Sequence, residues 1–235
     1  MISQVLKIAK QKGFVIYKDP HKLNIWGFRS PNNIPNAFDD EFHVFTNVGT
    51  LNKPNWYYLV FKGTTDPGTY WLRNPMNPQG TAILNEGQYI DAYAIGLHKG
   101  KYKALVQVGE LEITRDYNRD AILDFYNGKT MRSRAFGINI HRANKVGSTY
   151  HVDKYSAGCQ VFKNESDFEF FLKLCELHRQ MYSNRFTYTL IDLRTQEKKT
   201  LVNNFKTVVL GTAVTALLIG GYFLIQSDNE RNEPL

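Results

Sequence analysis

The sequence is poor in cysteine, in clustered positive charge and in repeats, and each shortage excludes a class of protein. Two cysteines in 235 residues cannot form a dense disulfide framework. The 29 lysines and arginines exceed the 22 acidic residues, but they are scattered and form no basic helix, so no nucleic-acid partner is expected. The spare histidines His98 and His151 belong to no cluster at the ligand spacing of a metal site, and neither a metal nor a cofactor is expected. The first residues lack the apolar run of a secretory signal.

Apolar side chains are plentiful and arranged in short segments. Hydrophobic residues make up 43% and aromatic residues 14% of the chain, enough to bury one sizeable core. Turn residues separate the segments, which predicts strands. The predicted strands span 56–62, 69–72, 89–97, 102–108 and 111–114, followed by a helix at 167–183 and a strand at 186–193. This pattern favours a β-rich, mixed α+β fold, either a sandwich or a barrel, with few helices.

Composition divides the chain into four parts. Near the start, lysines are interspersed with apolar residues, as in an amphipathic helix, and the pattern ends at Gly13. The large middle part contains the predicted strands, and the last residues are mostly acidic or polar. We therefore expect an N-terminal helix (1–16), a main domain (17–200), a transmembrane helix (207–226) and an acidic tail (227–235).

Residues 208–225 carry no charged side chain. As a helix, about 18 residues at about 1.5 Å each span about 27 Å, close to the bilayer hydrocarbon thickness of about 30 Å. The alternative is a buried core helix, but the segment is apolar on every face and follows a complete domain. We therefore expect the lipid bilayer to be a partner through this C-terminal helix. Basic residues precede it and acidic residues follow it, which predicts a cytoplasmic main domain and an outward tail.

The chemistry of the chain is concentrated around one histidine and one cysteine. A short alternating strand leads into His141, and the small-residue turn Ser156-Ala-Gly-Cys159 precedes another short strand. A nucleophilic cysteine needs an imidazole to take its proton and backbone amides to receive the oxyanion. We therefore assign Cys159 as nucleophile and His141 as base. Gly158 permits a tight turn beside Ser156, and the amides of Gly158 and Cys159 are candidates for the oxyanion hole.

The two cysteines have different surroundings. Cys175 lies on the apolar face of a predicted helix and is interpreted as a small core residue, whereas Cys159 follows a glycine in a polar turn. A pair of Cys159 and His141 further predicts a thiolate held by an imidazolium ion. On that basis Cys159 is expected to react with alkylating agents at about pH 6 to 7, below the ordinary cysteine pKa of about 8.5.

At these residues the sequence resembles the L,D-transpeptidase catalytic domain. The signature of that family is a histidine followed, after a loop, by Ser/Thr-His-Gly-Cys, and here residues 142–155 lie between His141 and Ser156-Ala-Gly-Cys159. The resemblance covers residues 137–162 well and the strands from 56 to 114 loosely. It implies a β-rich fold, a cysteine that is acylated by a peptidoglycan stem peptide, and a histidine base.

The sequence departs from the family pattern at two places. Ala157 stands where the family usually has a second histidine, and Gln160-Val161 replace the residues that usually follow the cysteine. Substrate contacts and any third catalytic residue therefore stay open. Arg142 and Arg115 are candidates for binding stem-peptide carboxylates, because a guanidinium group recognises a carboxylate with two hydrogen bonds. The loop residues His151 and Asp153 are candidates for orienting His141.

The expected activity is peptidoglycan acyl transfer through a Cys159 thioester. Water as the acceptor gives a peptidase or lysin, and an amine gives a cross-linking L,D-transpeptidase. A C-terminal membrane anchor with a cytoplasmic domain suits a phage product that reaches the wall through lysis or in a membrane-containing virion. In such a protein hydrolysis is the useful reaction, so hydrolysis is the expected outcome. The competing hypothesis is a non-enzymatic, membrane-anchored virion or envelope structural protein.

Overall fold

The computed structural model describes residues 2–32, 34–125 and 128–194, together with 218–219 and 222–223. The helices are α1 (Ile2–Lys12), α2 (Thr69–Arg73) and α3 (Glu165–Met181). The strands, in chain order, are β1 (Asn24–Arg29), β2 (Asp40–Asn47), β3 (Trp56–Thr64), β4 (Thr81–Leu84), β5 (Gly87–His98), β6 (Tyr102–Gln107), β7 (Leu111–Asp116), β8 (Thr130–Ser133), β9 (Ile140–Arg142), β10 (Gln160–Phe162), β11 (Phe186–Asp192), β12 (Leu218–Ile219) and β13 (Tyr222–Phe223). The predicted β-rich, mixed α+β class is confirmed.

Eight of the strands close into a barrel. Their order around it is β1-β11-β5-β6-β9-β10-β3-β2. The pairs β1–β11 and β9–β10 are parallel and the other barrel pairs are antiparallel. Strands β4, β7 and β8 form a separate antiparallel sheet. Closure of the barrel leaves these eight strands without an unpaired edge, which removes a site of non-specific strand pairing.

Aromatic side chains fill the main core, and α3 contributes to it. The ring of Phe162 stacks on Phe42, with centroids 4.5 Å apart, and on Phe171 of α3, with centroids 4.9 Å apart. All three side chains are fully buried. Cys175 of α3 belongs to the same cluster and is also fully buried, as the helical pattern predicted. The short strand β10 is therefore fixed from both sides by aromatic packing.

Helix α1 lies against the outside of the barrel. Its apolar face buries Val5, Ile8 and Ala9 in a second cluster that includes Trp26 and Phe28 of β1. The three helix positions recur every three to four residues, which places them on one face. The predicted amphipathic helix is present as α1, and its apolar face packs against strands of the barrel.

Most predicted strands are present, but one is wrong. The segment 69–72 forms the short helix α2 instead of a strand, because the amides of Trp71 and Leu72 both donate to the Gly68 carbonyl. A four-residue apolar run does not distinguish a helical turn from a strand. The sequence interpretation also did not find β4, which contributes Thr81 and Ala82 to the pocket described below.

The expected transmembrane helix at 207–226 and the tail at 227–235 lie outside the described residues, apart from the two short strands β12 and β13. These strands pair antiparallel, with Leu218 opposite Phe223 and Ile219 opposite Tyr222. Within the described part of the chain, no helix combines the length and the apolar character needed to span a bilayer.

The stacking of Phe162 predicts a large cost for its removal. We expect Phe162→Ala to lower the free energy of unfolding by about 3 to 5 kcal/mol, because it leaves a cavity between two aromatic rings. Urea denaturation measures this difference. Leu97→Ala is the control: that side chain is 59% exposed, and its truncation should cost less than about 0.5 kcal/mol. Equal losses in the two variants would contradict the packing described here.

Candidate active site

Strand alternation brings Cys159 and His141 to the same face of the barrel. In the parallel pair β9–β10, Ile140 lies opposite Gln160 and His141 lies opposite Val161. Ile140 and Gln160 are fully buried, and Ile140 belongs to the barrel core. Side chains one residue away point to the opposite face, so Cys159 and His141 both face outward and are diagonal neighbours.

Cys159 and His141 line one pocket of about 480 Å³. The second sheet supplies its opposite wall through Ala82 of β4 and Arg115 of β7, and the segment before β9 adds Phe136. The described lining residues include three cationic side chains and no acidic one; the cations are Lys99, Arg115 and Lys154. The pocket therefore presents a positive electrostatic potential beside the thiol.

The turn before Cys159 is held by Ser156 and requires glycine at position 158. The buried Ser156 hydroxyl donates to the Cys159 carbonyl (2.8 Å) and accepts from the Gly158 amide (3.1 Å). Gly158 has φ = 116°, and a Cβ there would lie 2.4 Å from the Ala82 carbonyl oxygen. The Gly158 amide already donates to Ser156 and is not free to receive an oxyanion. Gly158 instead shapes the turn. The Cys159 amide donates no hydrogen bond within the described residues, which leaves it as the candidate oxyanion donor.

The hydrogen bonds of His141 define its tautomer. Nδ1 lies 2.7 Å from the Arg142 carbonyl oxygen, which can only accept, so Nδ1 carries the proton. The Tyr102 hydroxyl lies 3.2 Å from the same Nδ1. The other ring nitrogen, Nε2, is buried and has no hydrogen-bond partner among the described residues. Nε2 is therefore the unprotonated ring nitrogen, and the Arg142 carbonyl orients the ring.

A second imidazole, not assigned from the sequence, packs against the first. The rings of His98 and His141 have centroids 4.1 Å apart. Asn139 donates through Nδ2 to His98 Nδ1 (3.0 Å), and its Oδ1 accepts from the main-chain amide of Gln107 (3.0 Å). His98 comes from the end of β5, far from the cysteine motif in sequence. Its only sequence signal is a histidine next to a hairpin turn, which is too general to identify it.

Burial leaves the resting pair uncharged. It lowers the pKa of His141 to about 3, with a further reduction from the neighbouring His98, and it raises the pKa of the Cys159 thiol. The thiol donates to the Gly137 carbonyl at 3.7 Å and makes no hydrogen bond to His141. Both directions favour a neutral thiol and a neutral imidazole over the thiolate–imidazolium pair expected from the sequence.

The two candidate arginines differ in position. Arg115 lines the pocket; its Nη1 donates to the Gly80 carbonyl (3.0 Å), and its buried Nε has no partner within the described residues. Arg142 does not line the pocket, because its guanidinium group bonds to the Asn144 carbonyl and lies 4.4 Å from the Tyr102 ring centre.

The two loop candidates for orienting His141 lie elsewhere. The side chain of Asp153 accepts a hydrogen bond from Asn36 (2.7 Å), and His151 is exposed. His141 is oriented instead by the Arg142 carbonyl.

Comparisons with known proteins place the chain in no family. No family model, no curated protein and no solved structure matches it. The chemistry of the pocket must therefore be inferred from its own residues.

The raised pKa of Cys159 predicts how its alkylation depends on pH. The thiolate is the reactive form, and it is lost as the pH falls through the pKa of the folded protein. In a Cys175→Ala background, the rate of reaction with iodoacetamide should reach half its maximum above the ordinary value of about pH 8.5. His141→Ala should leave that midpoint almost unchanged, because a neutral imidazole supplies no charge.

An alkylation midpoint below the ordinary cysteine pKa would contradict the neutral pair. A midpoint near pH 6 to 7 that moves upward in His141→Ala would restore the thiolate–imidazolium pair and contradict the neutral one. Mass spectrometry of the alkylated peptide distinguishes Cys159 from other sites of reaction.

Proposed function

We propose that this chain is a cysteine acyl-transfer enzyme of the L,D-transpeptidase type that acts on peptidoglycan stem peptides. The observation that carries the proposal is the shared pocket of Cys159 and His141, in which Nε2 of the histidine is buried, unprotonated and without a partner among the residues that the structure describes. An unbonded proton acceptor beside a thiol has no evident stabilising role, since a buried polar atom without a partner costs free energy. A buried imidazole nitrogen that is free to take a proton is one requirement of nucleophilic catalysis by cysteine.

The proposed reaction begins with a neutral pair. As Cys159 Sγ attacks a peptide carbonyl, its proton passes to His141 Nε2, and the carbonyl oxygen gains negative charge beside the Cys159 amide. The tetrahedral intermediate collapses when the C–N bond breaks, and the leaving amine takes the proton from Nε2. Water or an amine then attacks the thioester, gives its proton to Nε2 and releases the thiolate, which takes that proton back.

The charge of the pocket supports an anionic peptide as substrate. Arg115 lines the pocket and is held through Nη1 by the Gly80 carbonyl, and its Nε has no partner within the described residues, so the guanidinium group has hydrogen-bonding capacity left for a carboxylate. Lys99 and Lys154 add positive charge at the opening, and both are exposed. Stem peptides carry such carboxylates, so Arg115 is the proposed substrate-binding residue.

We propose hydrolysis as the outcome, with cross-linking as the alternative. The preference rests on the sequence interpretation of a C-terminal anchor and a lytic or virion-associated role. Both reactions use the same thioester, and the acceptor alone distinguishes them. A non-enzymatic envelope protein, the competing proposal, would show no turnover that depends on Cys159.

Turnover of purified muropeptides, followed by mass spectrometry, tests the proposal. We expect the full-length protein to cleave them and Cys159→Ala to abolish cleavage. Cys175→Ala should keep its turnover and lose only about 1 to 2 kcal/mol of stability, because a small core side chain is shortened. Equal loss of turnover in the two folded variants would remove the assignment of the nucleophile. If none of the three proteins cleaves the muropeptides, the hypothesis of a non-enzymatic envelope protein is favoured.

We also propose that residues 208–225 attach the protein to a lipid bilayer. This proposal rests on the uncharged, apolar sequence alone. The full-length protein should float with liposomes in a density gradient, and a variant that lacks residues 201–235 should not. A full-length protein that stays monomeric and soluble without detergent would contradict it.

A further inference from the structure

The loop between β7 and β8 places oxygen-bearing residues at alternate positions. Side-chain oxygens are found at Asp116, Asn118, Asp120 and Asp124, and a main-chain carbonyl at Ile122 completes the series. In calcium-binding loops of the EF-hand type, positions 1, 3, 5, 7, 9 and 12 supply the ligands, and position 7 uses its main-chain carbonyl. Loop 116–124 therefore has the spacing of the first five ligands. Ala121 stands where such loops usually have glycine, Asn127 stands where they have a bidentate glutamate, and α-helices do not flank the loop.

A buried carboxylate oxygen in this loop has no partner. The side chain of Asp116 is fully buried, and its Oδ2 accepts from the Asp124 amide (3.0 Å). Its Oδ1 is buried and has no hydrogen-bond partner within the described residues. A buried carboxylate oxygen without a partner is costly. A cation bound beside Asp116 Oδ1 would supply the missing partner.

The amide of Asn118 occupies the space between the other two carboxylates. Its Nδ2 donates to Asp120 Oδ2 (3.0 Å) and to Asp124 Oδ2 (2.5 Å). Within the described residues no three acidic, histidine or cysteine side chains converge on a common point as a metal site. A half-turn of the amide group replaces its nitrogen by its oxygen, which has nearly the same size. The Asn118 oxygen would then face the carboxylate oxygens of Asp120 and Asp124, an arrangement that a cation would stabilise.

We propose that loop 116–124 binds Ca²⁺ through oxygen ligands from Asp116, Asn118, Asp120, Ile122 and Asp124. Carboxylate, amide and carbonyl oxygens are ligands of hard cations, and the absence of histidine and cysteine from the loop argues against Zn²⁺. A loop of varied ligands suits the flexible coordination of Ca²⁺ better than the strict octahedron of Mg²⁺. Binding reorients the Asn118 amide and brings the carboxylates of Asp120 and Asp124 onto the ion.

The position of the loop links this site to the pocket wall. Asp116 follows Arg115 directly, and β7 pairs Asp116 with Thr81 and Arg115 with Ala82 of β4. Both Ala82 and Arg115 line the pocket. A cation at loop 116–124 would therefore stabilise the wall that carries the proposed carboxylate-binding arginine. The metal site itself does not depend on the proposed activity.

Terbium luminescence tests the site, because Tb³⁺ replaces Ca²⁺ and is excited through nearby tyrosine. Tyr117 lies inside the loop and is 56% exposed. The full-length protein, first treated with EDTA, should show saturable Tb³⁺ luminescence on excitation of tyrosine. Ca²⁺ should displace the ion at lower concentration than Mg²⁺. Asp120→Asn and Asp124→Asn should each weaken Tb³⁺ binding by about tenfold or more, since each removes a charged ligand.

The matched control is Glu110→Gln, which removes an exposed acid just outside the loop and should bind as the unmodified protein does. As a second readout, Ca²⁺ at about 100 times its Kd should raise the melting temperature by about 5 to 10 °C in the unmodified protein and in Glu110→Gln, and much less in the two loop variants. Circular dichroism confirms that the variants are folded. Weak luminescence that Ca²⁺ does not displace, or equal binding by Asp120→Asn and Glu110→Gln, would overturn the proposal.

Discussion

The parallel pairing of β9 with β10 is the interaction on which the candidate site depends. Each strand has only three residues, yet their register decides that Cys159 and His141 share the outer face. A slip by one residue would turn one of the two side chains into the barrel. The register is held from inside by Gln160, whose Oε1 accepts from the Tyr188 hydroxyl (2.8 Å) and whose Nε2 donates to the Thr65 carbonyl (3.3 Å).

The same Thr65 carbonyl connects the site to a buried cation. Arg29 is 1% exposed, and its Nη2 donates to the Thr65 carbonyl (3.1 Å) and to the Leu84 carbonyl at the end of β4 (2.9 Å). Asp66 lies 2.7 Å from its Nε and balances its charge. A buried ion pair adds little net stability, but removing one partner leaves an unpaired charge. Arg29 therefore fixes the barrel and the second sheet relative to each other, and both supply walls of the pocket.

The sequence predicted the local features of the site better than its long-range ones. Gly158, Ser156 and the short strands around Cys159 could be inferred because their signals lie within a few residues of one another. His98 and Arg115 reach the pocket only through strand pairing across the barrel and the second sheet, which a single sequence does not reveal. Arg142 looked equivalent to Arg115, but an adjacent carbonyl and the Tyr102 ring hold it away from the pocket.

The charge state of the pair also escaped sequence reasoning, for a physical reason. From the sequence alone, a histidine near a cysteine predicts a thiolate–imidazolium pair. Burial removes water from His141 and Cys159 and so disfavours the ionised form of each. Burial depends on the packing of β4 and the segment before β9 over the thiol. Proton transfer is accordingly expected during attack on the substrate, not before it.

The most direct test of the proposed chemistry is to trap the thioester. The protein is mixed with a synthetic stem tetrapeptide, quenched in acid within the first turnover, and examined by intact-mass and peptide-mapping mass spectrometry. We predict one acyl adduct, located on Cys159 and absent from Cys159→Ala, that accumulates far more slowly in His141→Ala. An unmodified Cys159 in protein that cleaves the peptide, or an adduct on another residue, would contradict Cys159 as the nucleophile.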